Sequence, residues 1–184
     1  VIQGTYPPGS TFKPFTAYAA LDTGLIGSRG ILGVNSMYLD EGVYTIPTCE
    51  GGTCEFQNAG AAAYGEVDLR LALTYSSDTY FYNLATHFDI LPGFDLESHQ
   101  VAAKYFGFGV PSGITLANEN GGRIPTPDSR REAYRKNPEA FLTDKWLTGD
   151  TLNTSIGQGD VLATPLQIAN AYAALINGGT LYAP

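Results

Sequence analysis

The sequence is poor in positive charge. Its 184 residues hold 10 Lys and Arg against 18 Asp and Glu, a formal net charge of −8. A phosphate-binding stripe cannot be assembled from so few cations, and nucleic acid is not an expected partner. No apolar run approaches the roughly 18–20 residues that cross a bilayer, and no signal-peptide pattern is visible. Histidine and cysteine are scarce: two of each, His87 and His99, Cys49 and Cys54. A structural zinc usually takes four such ligands, so no metal centre and no cofactor is expected. Internal repeats, heptads and low-complexity tracts are also missing.

What remains is an ordinary globular composition, 43% hydrophobic, long enough for one domain with a real core. Its 22 Gly and 12 Tyr point to much loop and a partly wet aromatic surface. Cys49 and Cys54 bracket Glu50-Gly51-Gly52-Thr53. Three readings stay open for them: a disulfide closing a hairpin in an oxidising, extracytoplasmic setting, free thiols, or part of a metal site. Val1 stands only nine residues before Ser10 and the chain stops at Ala183-Pro184 without an obvious finish. It reads as a piece of a longer protein.

The stretch Tyr6-Pro7-Pro8-Gly9-Ser10-Thr11-Phe12-Lys13-Pro14 organises the rest. Pro7, Pro8 and Gly9 cannot extend a helix backwards, so one is predicted to begin at Ser10. Pro14 is tolerated in a first turn, whose N–H groups lack intrahelical partners anyway. Phe12, Phe15, Ala19 and Ala20 give an apolar stripe, and Gly24 a C-cap. Ser10 and Lys13, at i and i+3, would share one face. A serine hydroxyl needs a base, and a lysine becomes one only when burial or positive charge lowers its pKa. Taken alone, Ser-x-x-Lys reads more often as a helix cap followed by a solvated lysine.

Further along, Val43–Ile46 is a candidate short strand, and the segment through Ala59–Ala63 reads as hairpin and loop. Asp68 is an N-cap for Leu69–Thr74. Tyr80, Phe81, Leu84, Ala85 and Phe88 make a buried helical face, so Ser76-Ser77-Asp78 falls at a corner between two helices. Pro92-Gly93 breaks the pattern, and a helix over 95–106 ends at Gly107. Residues 110–127 are loop-rich. A charged helix over 128–137 is expected to leave its three arginines and Lys136 solvated, and Trp146 opens a polar segment. Asn153-Thr154-Ser155 matches a glycosylation sequon by chance. The glycines of Ile156-Gly157-Gln158-Gly159-Asp160 allow close backbone approach. Thr164, Pro165 and Gln167 form a capping box for a last helix with Leu166, Ala169, Tyr172, Ala173 and Ile176 on its apolar face. Asn177-Gly178-Gly179 stops it. His87 reads as a surface or half-buried residue, and Tyr80, Phe81 and Tyr82 as core.

Ser-x-x-Lys followed by Ser-x-Asn is part of the motif set of penicillin-recognising serine enzymes. Ser10-Thr11-Phe12-Lys13, then Ser76-Ser77-Asp78, then Gly157-Gln158-Gly159 with Thr164-Pro165-Leu166-Gln167 resemble the transpeptidase domain of class B penicillin-binding proteins, in order and over nearly the whole chain. Gly149-Asp150-Thr151 is similar to the elongation-type, penicillin-binding protein 2 group. The second motif ends in Asp78 where many relatives have Asn, and Lys-Thr-Gly occurs nowhere in the sequence.

The resemblance implies an α+β fold of the penicillin-binding transpeptidase and serine β-lactamase kind. Residues 1–184 would be a partial transpeptidase domain, mainly its helical part with the sheet largely missing, leaving apolar patches exposed. It implies acyl transfer at the D-Ala-D-Ala end of peptidoglycan stem peptides. Ser10 would be the nucleophile, Lys13 its base and Ser76 a proton relay. Asp78 would hold Lys13 or the substrate, and Gly157, Gln158 and Gly159 would line the cleft. β-Lactams would acylate Ser10, and without Lys-Thr-Gly the chain alone would be impaired. Implied partners are stem peptides, β-lactam antibiotics and a membrane glycosyltransferase of the cell-elongation machinery. The place implied is the extracytoplasmic face of a bacterial plasma membrane, reached through an N-terminal transmembrane helix outside this chain. Rival readings are a D,D-carboxypeptidase or β-lactamase-type hydrolase, for which no deacylating base is assigned and Glu66 is the nearest glutamate before the second motif, a β-lactam sensor domain, and a non-catalytic scaffold.

Overall fold

The computed structural model describes residues 1–26, 32–47, 49, 54–90 and 96–184, with side chains at 88–90, 96–99 and 101 excepted. The Gly-rich connector, the Cys-flanked turn, the Pro92-Gly93 break and the side chains of Phe88 and His99 lie outside the described residues. Among the described residues seven α-helices carry the fold: α1 Lys13–Asp22, α2 Leu69–Tyr75, α3 Asp78–Ile90, α4 Leu96–Tyr105, α5 Pro127–Lys136, α6 Thr148–Ser155 and α7 Pro165–Ile176. The described strands are short, β1 Tyr38–Asp40, β2 Val43–Thr45, β3 Glu55–Gln57 and β4 Gly65–Val67. They pair antiparallel as β1 with β4 and β2 with β3. The expected predominance of helix over sheet holds.

The polypeptide approaches α1 through a 3₁₀ turn, Gly9–Phe12, rather than entering an α-helix at Ser10. Gly9 has φ +57°, which an L residue resists, and it lets the chain turn sharply out of Pro7-Pro8. In a 3₁₀ turn residues i and i+3 eclipse, so Ser10 stands over Lys13, whose amide N–H donates to the Ser10 carbonyl. Two apolar clusters flank α1. One gathers Ala17, Ala19 and Ala20 with Phe81, Leu84, Ala85 and Leu152. The other gathers Phe12 and Phe15 with Phe106, Phe108, Val161 and Ala171. α1 is thereby locked from both sides.

The sequence of α6 reads only as a polar segment. Gly149, Asp150, Asn153 and three threonines are weak helix formers. The helix exists because it packs on α3, burying Thr151, Leu152, Thr154 and Ser155, and because Thr16 of α1 donates to the Ser155 carbonyl at 2.6 Å. α7 has the expected capping box, with Thr164 and Gln167 exchanging side-chain to backbone bonds of 2.9 and 3.1 Å. Its buried face differs from the expected one. Gln167, Ala171 and Ala174 point inward, while Ala169 and Ala173 are exposed and Ile176 is 83% exposed. The helix is apolar nearly all round, so periodicity does not choose a face. Gln167 chooses it, its amide donating to the carbonyls of Val110 at 2.8 Å and Gly121 at 2.6 Å.

Candidate active site

Lys13 is 1% exposed, although lysine side chains ordinarily lie in solvent. Its Nζ donates to the Ser76 carbonyl at 2.6 Å and to Ser76 Oγ at 3.0 Å, and it lies 2.6 Å from Asp78 Oδ1. Three acceptors meet the three N–H bonds of an ammonium. The Phe81 ring covers it at 5.7 Å. Burial pulls the Lys13 pKa below 10.5, although Asp78 and Asp40 both act to raise it. The motif lysine is therefore a buried, partly destabilised cation.

The corner that receives it is built locally. Asp68 caps α2 by accepting from the Leu71 amide at 2.7 Å. The chain leaves α2 through Ser76 with φ 59° and ψ 42°, left-handed backbone that a residue with a Cβ adopts at a cost of about 1–3 kcal/mol. That conformation turns both the carbonyl and the hydroxyl of Ser76 toward Lys13. Ser77 Oγ then accepts from the Tyr80 amide at 3.1 Å and caps α3, and Asp78 follows in the first turn of α3. The expected helix–corner–helix arrangement is present.

Ser10 is exposed, and among the described residues no hydrogen bond joins its hydroxyl to Lys13. The serine is on the surface and the lysine, three residues on, is buried. Gly157 supports the turn from behind: its carbonyl accepts from the Gly9 amide at 2.8 Å. Gln158 and Gly159 are exposed beside it, and a Cβ at Gly9 would come within 3.4 Å of Gln158 Nε2. Before the serine, Tyr6 and Ala163 exchange backbone bonds of 2.9 and 3.0 Å. The third segment is thus stitched to the chain at Gly9 and at Tyr6, just ahead of Ser10.

Arg130 is not solvated with its neighbours. Its guanidinium bonds Asp150, reaches Asp160 at 3.7 Å and lies over the Phe141 ring at 5.0 Å. The helix face it occupies is polar in sequence, and the approach of α6 and of the Gly157–Asp160 turn makes it a half-buried residue. Trp146 joins the same polar cluster through a 2.8 Å bond to Thr151 Oγ1. His87 is half-buried and its ring Nδ1 lies 2.7 Å from the Asn83 carbonyl on its own helix. Tyr80, Phe81 and Tyr82 are core, 5%, 0% and 4% exposed. A disulfide joins Cys49 and Cys54, with Cα atoms 5.6 Å apart. No group of three or more His, Cys, Asp and Glu suited to a metal ion occurs among the described residues.

Sequence reasoning missed Asp40 and Asn58. Both are buried behind the corner, Asp40 at 1% and Asn58 at 3% exposure. They are isolated polar residues in a loop-rich region, 18 positions apart, and carry no local motif.

Comparison with known proteins agrees with this geometry. The family model for the penicillin-binding protein transpeptidase domain matches residues 1–184. The peptidoglycan D,D-transpeptidase MrdA of Haemophilus influenzae is 37% identical over 182 residues, covering 99% of this chain and 24% of that protein. The chain therefore spans about a quarter of the length of that relative. Among solved structures, penicillin-binding protein 2 of Helicobacter pylori in complex with MreC superposes with a TM-score of 0.78 at 27% identity, covering 100% of this chain and 30% of that one. The penicillin G acyl-enzyme complex of penicillin-binding protein A from Mycobacterium tuberculosis superposes with a TM-score of 0.74 at 27% identity, covering 100% and 35%. With its whole length matched by that family model, the chain belongs to the penicillin-binding protein transpeptidase family.

Proposed function

We propose that this chain carries the nucleophile and proton-transfer groups of a peptidoglycan D,D-transpeptidase of the penicillin-binding protein 2 kind. The observation that supports it best is Lys13, buried three residues after an exposed serine and held by Ser76 and Asp78. An ammonium in water is no base. One whose pKa is lowered by burial deprotonates more readily and accepts a proton from a serine hydroxyl.

In the proposed reaction Ser10 Oγ attacks the carbonyl carbon between the two terminal D-alanines, and its proton passes to Lys13. Ser76, bonded to Lys13, returns that proton to the departing D-alanine amine as the C–N bond breaks. The resulting ester is attacked by an amine of a second stem peptide. That forms the cross-link amide and restores the Ser10 hydroxyl. Asp78 keeps Lys13 in register. The Ser10 amide, near the start of its turn, serves as one oxyanion donor. Gly157, Gln158 and Gly159 line the cleft.

The penicillin G complex of the Mycobacterium tuberculosis protein supports the same serine ester with a β-lactam here. Stem peptides and β-lactams are the proposed ligands, and a membrane glycosyltransferase of the elongation machinery the proposed protein partner. The proposed place is the extracytoplasmic face of the bacterial plasma membrane, with the parent anchored there. No described helix is long and apolar enough to cross a membrane.

The test uses the complete protein that contains this segment. Penicillin G is expected to add its whole mass to the tryptic peptide holding Ser10, and Ser10→Ala to abolish the adduct. Supplied with stem peptides, the protein is expected to yield cross-linked dimers. Free D-alanine without dimers indicates a carboxypeptidase, and a stable adduct with no peptide turnover a sensor. No adduct on wild-type protein with several penicillins overturns the reading.

A further inference from the structure

Asp40 ends β1 as a buried carboxylate, an expensive group to place in a core. It is fully engaged. It accepts from the Gly42 amide at 2.8 Å, from Asn58 Nδ2 at 2.8 and 2.9 Å, and from Ser77 Oγ at 2.5 Å. Asn58 is engaged just as fully. Its Nδ2 also donates to the Ala62 carbonyl at 2.7 Å, and its Oδ1 accepts from the amides of Asp78 at 2.7 Å and Thr79 at 3.0 Å. Those two amides open α3 and have no partner within the helix. Asn58 therefore caps α3 from another segment, and Asp40 fixes which way the Asn58 amide faces.

Ser77 and Asp78, the two positions held by this bracket, immediately follow and include the residues that hold Lys13. Joining a hairpin to a helix requires no carboxylate, since apolar packing serves as well or better. A charge there acts on its surroundings, and Asp40 stands with Asp78 as a negative group acting on the Lys13 ammonium.

We infer that Asp40 and Asn58 are positioning residues. Through Ser77 and the first amides of α3 they hold Ser76 and Asp78 in the left-handed corner that meets Lys13. The inference deepens the acyl-transfer reading and rests on it for its kinetic consequence. Neither residue touches substrate. The charged groups that face Lys13 among the described residues are Asp78 from α3 and Asp40 from β1.

The experiment compares wild type, Asp40→Asn and Ser77→Ala in the complete protein. Penicillin G acylation is resolved into a saturation constant and a limiting rate. The Lys13 side-chain titration is followed by NMR, assigned with Lys13→Arg. Asp40→Asn is expected to lower the limiting rate about 10²-fold, the scale of a small misplacement in a reacting site, and to leave the saturation constant unchanged. It is also expected to move the Lys13 midpoint to lower pH, because one negative charge is gone. Ser77→Ala keeps that charge, so it lowers the limiting rate and leaves the midpoint in place.

A wild-type limiting rate and midpoint in Asp40→Asn overturn the inference. So does a loss that scales only with the folded fraction seen in thermal melting. Should Asp40→Asn fail to fold, Ser77→Ala decides, and an unchanged limiting rate there overturns the inference. Wild-type protein that penicillin does not acylate refutes the functional reading alone, and the Lys13 midpoint in Asp40→Asn then supports or overturns the bracket by itself.

Discussion

Gly157 lies directly against Gly9: a Cβ built on Gly157 would come 2.5 Å from the Gly9 carbonyl oxygen and 2.5 Å from Phe12 Cβ. The contact has no room for a side chain, and φ at Gly157 is +70°, which an L residue resists. Gly157→Ala is expected to destabilise the fold by about 3 kcal/mol, from left-handed strain plus overpacking. It is also expected to slow Ser10 acylation by shifting the serine turn. Gly24→Ala is the comparison, since no atom lies within 4 Å of its Cβ position. It should cost only the backbone strain. Equal losses in thermal melting would show that the close approach does not matter.

The Lys13–Asp78 pair is a buried cation held by an anion, and removing one partner strands the other. Lys13→Met is expected to cost about 3–5 kcal/mol and to abolish acylation. Lys13→Met with Asp78→Leu should recover much of that stability and none of the activity. Urea melts of the two single variants and the double variant give the coupling directly. Additive losses would show that the pair contributes no interaction.

The two buried charges predict stability that rises with pH in two separate windows, one alkaline and one acid. Burial lowers Lys13 below 10.5, so the unfolded chain binds more protons than the folded one between the folded pKa and 10.5. Stability therefore rises with pH across that window. Acylation should climb with the neutral fraction of Lys13, at a midpoint below 10.5 that Lys13→Met removes. Burial raises the Asp40 pKa, but hydrogen bonds from Ser77, Asn58 and the Gly42 amide outweigh it and hold the carboxyl below 3.8. The stability it contributes is present above pH 3.8 and lost as pH falls through the folded pKa. Asp40→Asn should flatten the acid limb of a melting-temperature profile, and an unchanged limb would refute the assignment.

Gln167 is 2% exposed and serves as both cap and clamp. Gln167→Leu leaves the Thr164 amide and the carbonyls of Val110 and Gly121 without their partner. Each stranded group costs roughly 1–3 kcal/mol, so a loss of about 4 kcal/mol is expected, visible as a lower denaturation midpoint at unchanged slope. Asn170→Leu, one turn along and facing solvent-side partners, should cost well under 1 kcal/mol.

The legible parts of this chain are those in which a few adjacent residues specify their own geometry. Pro7-Pro8-Gly9 forces a turn into a helix, Asp68 and Thr164 cap helices with their own side chains, and Tyr80, Phe81, Leu84 and Ala85 repeat at helical spacing. The illegible parts were decided by partners distant in sequence. Arg130 is an ordinary helix-surface arginine until α6 brings Asp150 to it. α6 itself has poor propensity and forms on the surface of α3.

The sequence alone determined the order of the three motifs, the corner between α2 and α3 and the family, because motif spacing and local capping are short-range properties carried by neighbouring residues. Only the tertiary structure decided that Lys13 is buried and bound by Ser76 and Asp78 across more than sixty residues. It alone revealed Asp40 and Asn58 behind that corner, and it alone chose the inward face of α7. Burial and the pairing of buried polar groups depend on which segments meet, and no stretch of neighbouring residues encodes that by itself.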